Sequence, residues 1–116
     1  MKSKLINDSK QFAIDIVNVC NGKEINRNNV LISQLLRSGT SIGANVHEAN
    51  YAASKADFIN KLQIALKECY ETEYWLDLFK ATKIIPLDIC DKLMTECGKL
   101  RFLLIKSITT AKEANQ

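Results

Sequence analysis

Phe58, Leu62, Ala65, Cys69, Thr72, Leu76 and Phe79 step along the chain by four and three residues. That spacing gathers all seven on one stripe of an α-helix about three heptads long. A strand would scatter the same series over both of its faces. Ser54-Lys55-Ala56-Asp57 stands immediately before the stripe. An S-x-x-D box there supplies an oxygen for the free amides of a first helical turn, so Ser54 is the expected cap. A helix over residues 55–80 at 1.5 Å per residue is roughly 38 Å long. Its apolar stripe needs other helices to cover it.

The rest of the chain offers three. Ile89, Leu93, Cys97, Leu100, Leu104 and Ile108 form a second seam of the same kind. It predicts a helix over about 86–112, with Pro86 where a helix start lacks partners for its N–H groups anyway. Phe12, Ile16, Val19 and Cys20 predict a helix over about 8–21 that Asp8 or Ser9 caps and Asn21-Gly22 ends. The Asn-rich stretch from Asn21 to Asn29 reads as a connection. The remaining helix, about 29–50, carries two apolar stripes: Leu31, Leu35, Ser38, Ile42 and Ala49 on one, and Ile32, Leu36, Gly39, Gly43, Val46 and Ala53 on the other. Four glycines and one proline in 116 residues leave too few turns for a sandwich or barrel. The 47% hydrophobic content suits one ordinary core. The expected fold is all-α, an up-down-up-down antiparallel four-helix bundle spanning 1–116 as a single domain.

Gly39 and Gly43 lie four residues apart on one face of the second helix, where each costs up to about 1 kcal/mol relative to Ala. Two explanations of that cost stay open: a crowded crossing or bend within the chain, and a contact between subunits. Ser38-Gly39-Thr40-Ser41-Ile42-Gly43 lacks the Lys-Ser/Thr ending and the preceding strand of a phosphate-binding loop.

No constellation announces a reaction. His47 is the single histidine, and Ala44 stands three residues before it, so the E-x-x-H pairs of a di-metal bundle are missing. His47-Glu48-Ala49-Asn50-Tyr51 likewise lacks the second histidine of a zinc-protease helix. No metal and no cofactor are expected. Glu68 and Glu71 share a face without a nucleophile or base beside them. They read better as ion-pair acceptors for a neighbouring helix, with Arg37 as a partner. Tyr70, Tyr74 and Trp75 flank the seam as core edge or as an interface anchor.

Sixteen Lys and Arg against 13 Asp and Glu leave a net charge of +3. The excess lies in the N-terminal half, so a ring of identical chains would concentrate it into a field able to hold nucleic acid. Cysteines 20, 69, 90 and 97 have no zinc-like spacing and sit in apolar patterns, as reduced core residues do. Asn7-Asp8-Ser9-Lys10 interrupts the place of a signal peptide's apolar stretch, and no apolar run approaches the roughly 20 residues of a membrane span. A soluble, cytoplasmic protein without membrane contact is the expectation.

The run Leu35-Leu36-Arg37-Ser38-Gly39-Thr40-Ser41-Ile42-Gly43-Ala44-Asn45, followed by Glu48-Ala49, resembles the signature of the small four-helix-bundle proteins encoded in intervening sequences of bacterial 23S ribosomal RNA genes. Ser54 to Leu62, Ala65-Leu66-Lys67-Glu68 and Glu71 to Leu76 extend the resemblance. It implies a closed bundle that assembles as a homopentamer. A related branch comprises accessory proteins of diversity-generating retroelements, which bind nucleic acid and a reverse transcriptase. Carried over by residue, the resemblance implies that Arg37, Gly39, Gly43, Asn45, Glu48, Glu68 and Glu71 serve helix packing, the subunit contact or both. It supplies no catalytic residue. The expected function is a non-enzymatic oligomeric scaffold that meets RNA or nucleoprotein through Lys10, Lys23, Arg27 and Arg37. The rival expectation is a protein interaction module that binds no nucleic acid.

Overall fold

The computed structural model describes residues 2–26 and 29–114. They form four helices: α1 (Lys2–Cys20), α2 (Ile32–Ala49), α3 (Lys55–Thr82) and α4 (Leu87–Glu113). α2 packs on α1 and α3, and α4 closes the circuit between α3 and α1. Among the described residues neither diagonal pair of helices approaches closely. Cross-helix partners run in opposite directions along each pair. Lys80 meets Asp91 while Glu73 meets Arg101, and Gly39 meets Ile16 while Gly43 meets Ser9. The bundle is therefore antiparallel throughout, up-down-up-down, as the seams predict, and measures 49 × 20 × 20 Å.

Every member of the α3 seam except the half-buried Phe58 is buried, and in α4 only Ile89 stays half-buried. Ser54 caps α3 by accepting the Asp57 N–H at 3.1 Å. At the other end Lys83 takes a left-handed conformation (φ 61°), and the Ile84 N–H reaches back to the Phe79 carbonyl at 3.1 Å. Pro86 is the N-cap of α4.

α1 starts six residues before the expected Asp8, which corrects the 8–21 reading. Leu5 is buried, so the α1 stripe is Leu5, Ser9, Phe12, Ile16 and Cys20, with Ser9 as a small core member. The Ser9 hydroxyl donates to the Ile6 carbonyl at 3.2 Å and caps nothing. Lys4 and Asp8 form an i,i+4 ion pair at 3.1 Å across the same turns. α2 starts at Ile32 rather than residue 29, because Asn29 closes a tight turn ahead of it. Its side-chain oxygen accepts the Leu31 N–H at 2.9 Å and its carbonyl accepts the Ile32 N–H at 3.1 Å. The other boundaries agree within two residues.

The two stripes of α2 serve two neighbours within the chain, except that Ala53 lies beyond the end of the helix at Ala49 and is exposed. Built on Gly39, a Cβ would lie 2.9–3.1 Å from three side-chain carbons of Ile16, itself fully buried; on Gly43 it would lie 3.1 Å from the Ser9 carbonyl oxygen. Both glycines let α1 lie close on α2. Gly98 differs, since its nearest neighbour is the Arg101 guanidinium at 3.5 Å.

These distances give opposite signs for two substitutions. Gly39→Leu is expected to lower stability to chemical denaturation by about 1–3 kcal/mol through overpacking. Gly98→Ala is expected to raise it by about 0.5–1 kcal/mol through helix propensity. Equal effects from both would contradict the close crossing.

Candidate interaction surfaces

The polar side chains of the α2–α3 seam are spent on each other. The Arg37 guanidinium pairs with Glu68 at 3.2 Å and with Glu71, and its Nε–H donates to Gln34 at 3.4 Å. Glu71 also accepts the Trp75 indole N–H at 3.0 Å. Beneath this cluster, the buried Thr72 hydroxyl donates to the Glu68 carbonyl at 2.8 Å and lies 2.9 Å from the Ser38 hydroxyl. Two carboxylates thus face one guanidinium, which leaves Arg37 little attraction for a phosphate. Among the described residues every buried side-chain nitrogen and oxygen has a partner.

Other ties repeat the pattern. Lys61 reaches Glu48 at 3.1 Å and joins α3 to α2. Arg101 Nε donates to Glu73 at 2.9 Å and joins α4 to α3, and that hydrogen bond first of all pushes the Arg101 pKa up. Asn45 stays within its own helix and donates to the Ser41 carbonyl at 2.9 Å. Of the seven expected packing or subunit residues, six sit at contacts between helices of one chain, and Asn45 does not. Sequence reasoning missed Arg101–Glu73 and Ser38–Thr72. The latter was signalled by two small polar residues standing in apolar stripes.

The expected phosphate contacts are not gathered into one site. Lys10 is exposed on α1 beside a groove of about 240 Å³ whose walls include Gly43, Thr40 and His47. Lys23 is exposed in the connection after α1, with ten helical steps, about 15 Å, from Lys10 to Cys20. Arg27 lies outside the described residues. His47 is exposed and contacts the Tyr51 ring, 5.3 Å between centroids. Among the described residues no group of three or more His, Cys, Asp or Glu is placed to hold a metal ion, and no helix is long and apolar enough to cross a membrane.

Besides Val30, Tyr51 and Leu87 at or beside the connections, large apolar side chains are exposed on two faces of the bundle. Ile14 and Val17 are exposed on α1, on the face that holds Lys10. Tyr70 and Tyr74 of α3 and Phe102 and Ile105 of α4 are exposed on the far side, Phe102 by 64%. α1 and α3 are diagonal in the bundle, so the two patches face different directions.

All four cysteines are free and buried. Burial pushes the Cys20 thiol up to about 11. The Cys97 thiol is raised by its hydrogen bond to Cys69 and by burial, and it donates to the Cys69 carbonyl.

Comparison with known proteins adds a family. The sequence model of the 23S rRNA-intervening sequence proteins matches residues 1–106. A protein of unknown function from the S23 ribosomal protein family of Bacteroides thetaiotaomicron VPI-5482, with a crystal structure at 1.70 Å, is 44% identical to this chain. The likeness covers 90% of this chain and 97% of that one, with a TM-score of 0.81. No curated protein matches.

Arg37→Ala combined with Glu68→Ala in a double-mutant cycle is expected to show a coupling of about 0.5–1 kcal/mol, the ordinary value for a half-exposed pair. A cycle that closes to zero would remove Arg37 from the forces joining α2 to α3. Because only a thiolate attacks, a disulfide reagent at pH 8 is expected to modify the folded cysteines at least ~10-fold more slowly than the denatured chain. Equal rates would contradict their burial.

Proposed function

Since this chain belongs to the family of 23S rRNA-intervening sequence proteins, we propose that it is a non-enzymatic, self-assembling helical scaffold whose assembled copies hold RNA or nucleoprotein in the cytoplasm. The observation that carries this reading is the pair of exposed apolar patches on different sides of the bundle. Isolated exposed apolar residues are ordinary, but Tyr70 and Tyr74 lie within three residues of Glu73 on α3, and Phe102 and Ile105 within four of its partner Arg101 on α4, and aromatic residues of this kind anchor interfaces. A contact between unlike patches on identical chains is head-to-tail, so it closes into a ring or grows without end. A closed ring of five is the assembly that the family resemblance implies.

RNA is the partner favoured by charge. Each chain carries +3, and its helix–helix seams consume carboxylates and cations in pairs, so the surplus stays with lysines such as Lys10 and Lys23. Closing a ring multiplies that surplus. Arg37 drops out of the phosphate contacts in this reading because Glu68 and Glu71 neutralise it. A second reading, a protein interaction module, draws on the same apolar patches and needs no nucleic acid.

Light scattering and fluorescence anisotropy separate the readings. The unaltered chain is expected to elute at a multiple of its 13.1 kDa mass. Tyr74→Glu with Phe102→Glu is expected to reduce that to a monomer while leaving the helical signal. A labelled structured RNA is expected to bind with a log–log salt slope of roughly one unit per phosphate contacted, and Lys10→Glu with Lys23→Glu to flatten the slope by about two. A monomeric unaltered chain would refute the scaffold. An assembly that ignores RNA even at low salt would leave the interaction module.

A further inference from the structure

From Cys97 to Lys112 the chain holds Lys99, Arg101, Lys106 and Lys112 and no acidic residue. Arg101 is spent on Glu73 of α3. Lys99 and Lys106 are exposed, and neither takes part in an ion pair among the described residues. Seven helical steps set them about 10.5 Å apart along α4, too far for both to hold one phosphate. Phe102 stands between them, three residues after Lys99 and four before Lys106, so all three share a face. The ring is 64% exposed, against the usual burial of phenylalanine. A groove of about 470 Å³ opens beside it, lined by Gly98 and Lys99 of α4 and by Lys4 and Asp8 of α1. Asp8 is answered by Lys4 at 3.1 Å. Glu96, one turn before Lys99, lines the neighbouring groove over Phe12 and Leu100.

Two free cations with a bare aromatic ring between them match a nucleic-acid strand, in which charged phosphates alternate with flat bases. We infer that the outer face of α4 holds single-stranded RNA, with phosphates at Lys99 and Lys106 and one base stacked on Phe102. The inference rests on the RNA reading proposed above and adds the surface and the form of RNA that it takes. A duplex keeps its bases stacked on one another, so it offers the ring nothing and engages the lysines alone. A single small anion reaches only one of the two lysines. The groove beside the ring falls in the range of roughly 300–1,000 Å³ that houses small ligands, which is room for a base and its sugar. Phe102 is thereby assigned to RNA, and Tyr70, Tyr74 and Ile105 remain for the contact between copies.

Stacking and charge respond differently to salt, so fluorescence anisotropy with a labelled uridine oligomer, which does not pair with itself, resolves the two contributions. Phe102→Leu keeps the apolar bulk and removes the ring. It is expected to weaken binding about tenfold while the log–log salt slope and the oligomeric mass stay as they are. Lys99→Gln with Lys106→Gln is expected to lower the slope by about 1.4, at roughly 0.7 for each phosphate of a single strand. Binding of an RNA duplex is expected to be indifferent to Phe102→Leu. An oligomer whose affinity ignores Phe102→Leu, or whose salt slope ignores the lysine variant, would overturn this surface and leave RNA binding to other parts of the chain. A loss of oligomeric mass in Phe102→Leu would overturn it too, by returning the ring to the contact between copies. An unaltered chain that binds no RNA at low salt would end the RNA reading itself, and this surface with it.

Discussion

The close approach of α1 to α2 is the constraint on which the bundle turns. A side chain at Gly39 would collide with Ile16, which is fully buried. α1 settles there because α2 shows it bare backbone for one helical turn, with Gly43 admitting the Ser9 carbonyl at the next. With that side of α2 filled, its other side turns to α3, where Ser38 meets Thr72 and Arg37 meets Glu68 and Glu71. α4 then completes the circuit through α3 and is left with a looser seam against α1. The propensity lost at two glycines is offset by the apolar surface that α1 buries.

Inside this arrangement charge acts as a fastener. Arg37, Arg101, Lys61 and Lys80 each reach a carboxylate on the neighbouring helix. Single pairs of this exposure contribute little to stability. Their greater effect is on register, because each joins one position of one helix to one position of the next. The apolar residues left outside, on α1 and on the α3–α4 side, have no such employment within the chain, and a scaffold built of identical copies is the use the proposed function gives them.

The sequence made α3 and α4 legible because their seams are long and strictly spaced, and the Ser54 box marked a start that the cap geometry bears out. The glycine pair was legible as a close approach, though not what approached, since spacing on one helix says nothing about the element opposite. α1 was read six residues short. Ser9 is polar, and a polar residue ahead of Phe12 resembles a cap, whereas here its small size makes it a core member between Leu5 and Phe12. Arg37 illustrates a general difficulty for charged residues: composition counts it as a cation, and only the fold shows two carboxylates beside it.

The central claim is that apolar faces join copies of this chain while its ion pairs join helices within a copy. Measuring the mass in solution from low salt to 1 M salt tests it most directly, because screening weakens contacts between charges and leaves apolar burial intact. The account predicts one oligomeric mass across the whole range. An assembly that falls to the 13.1 kDa monomer as salt rises would contradict it.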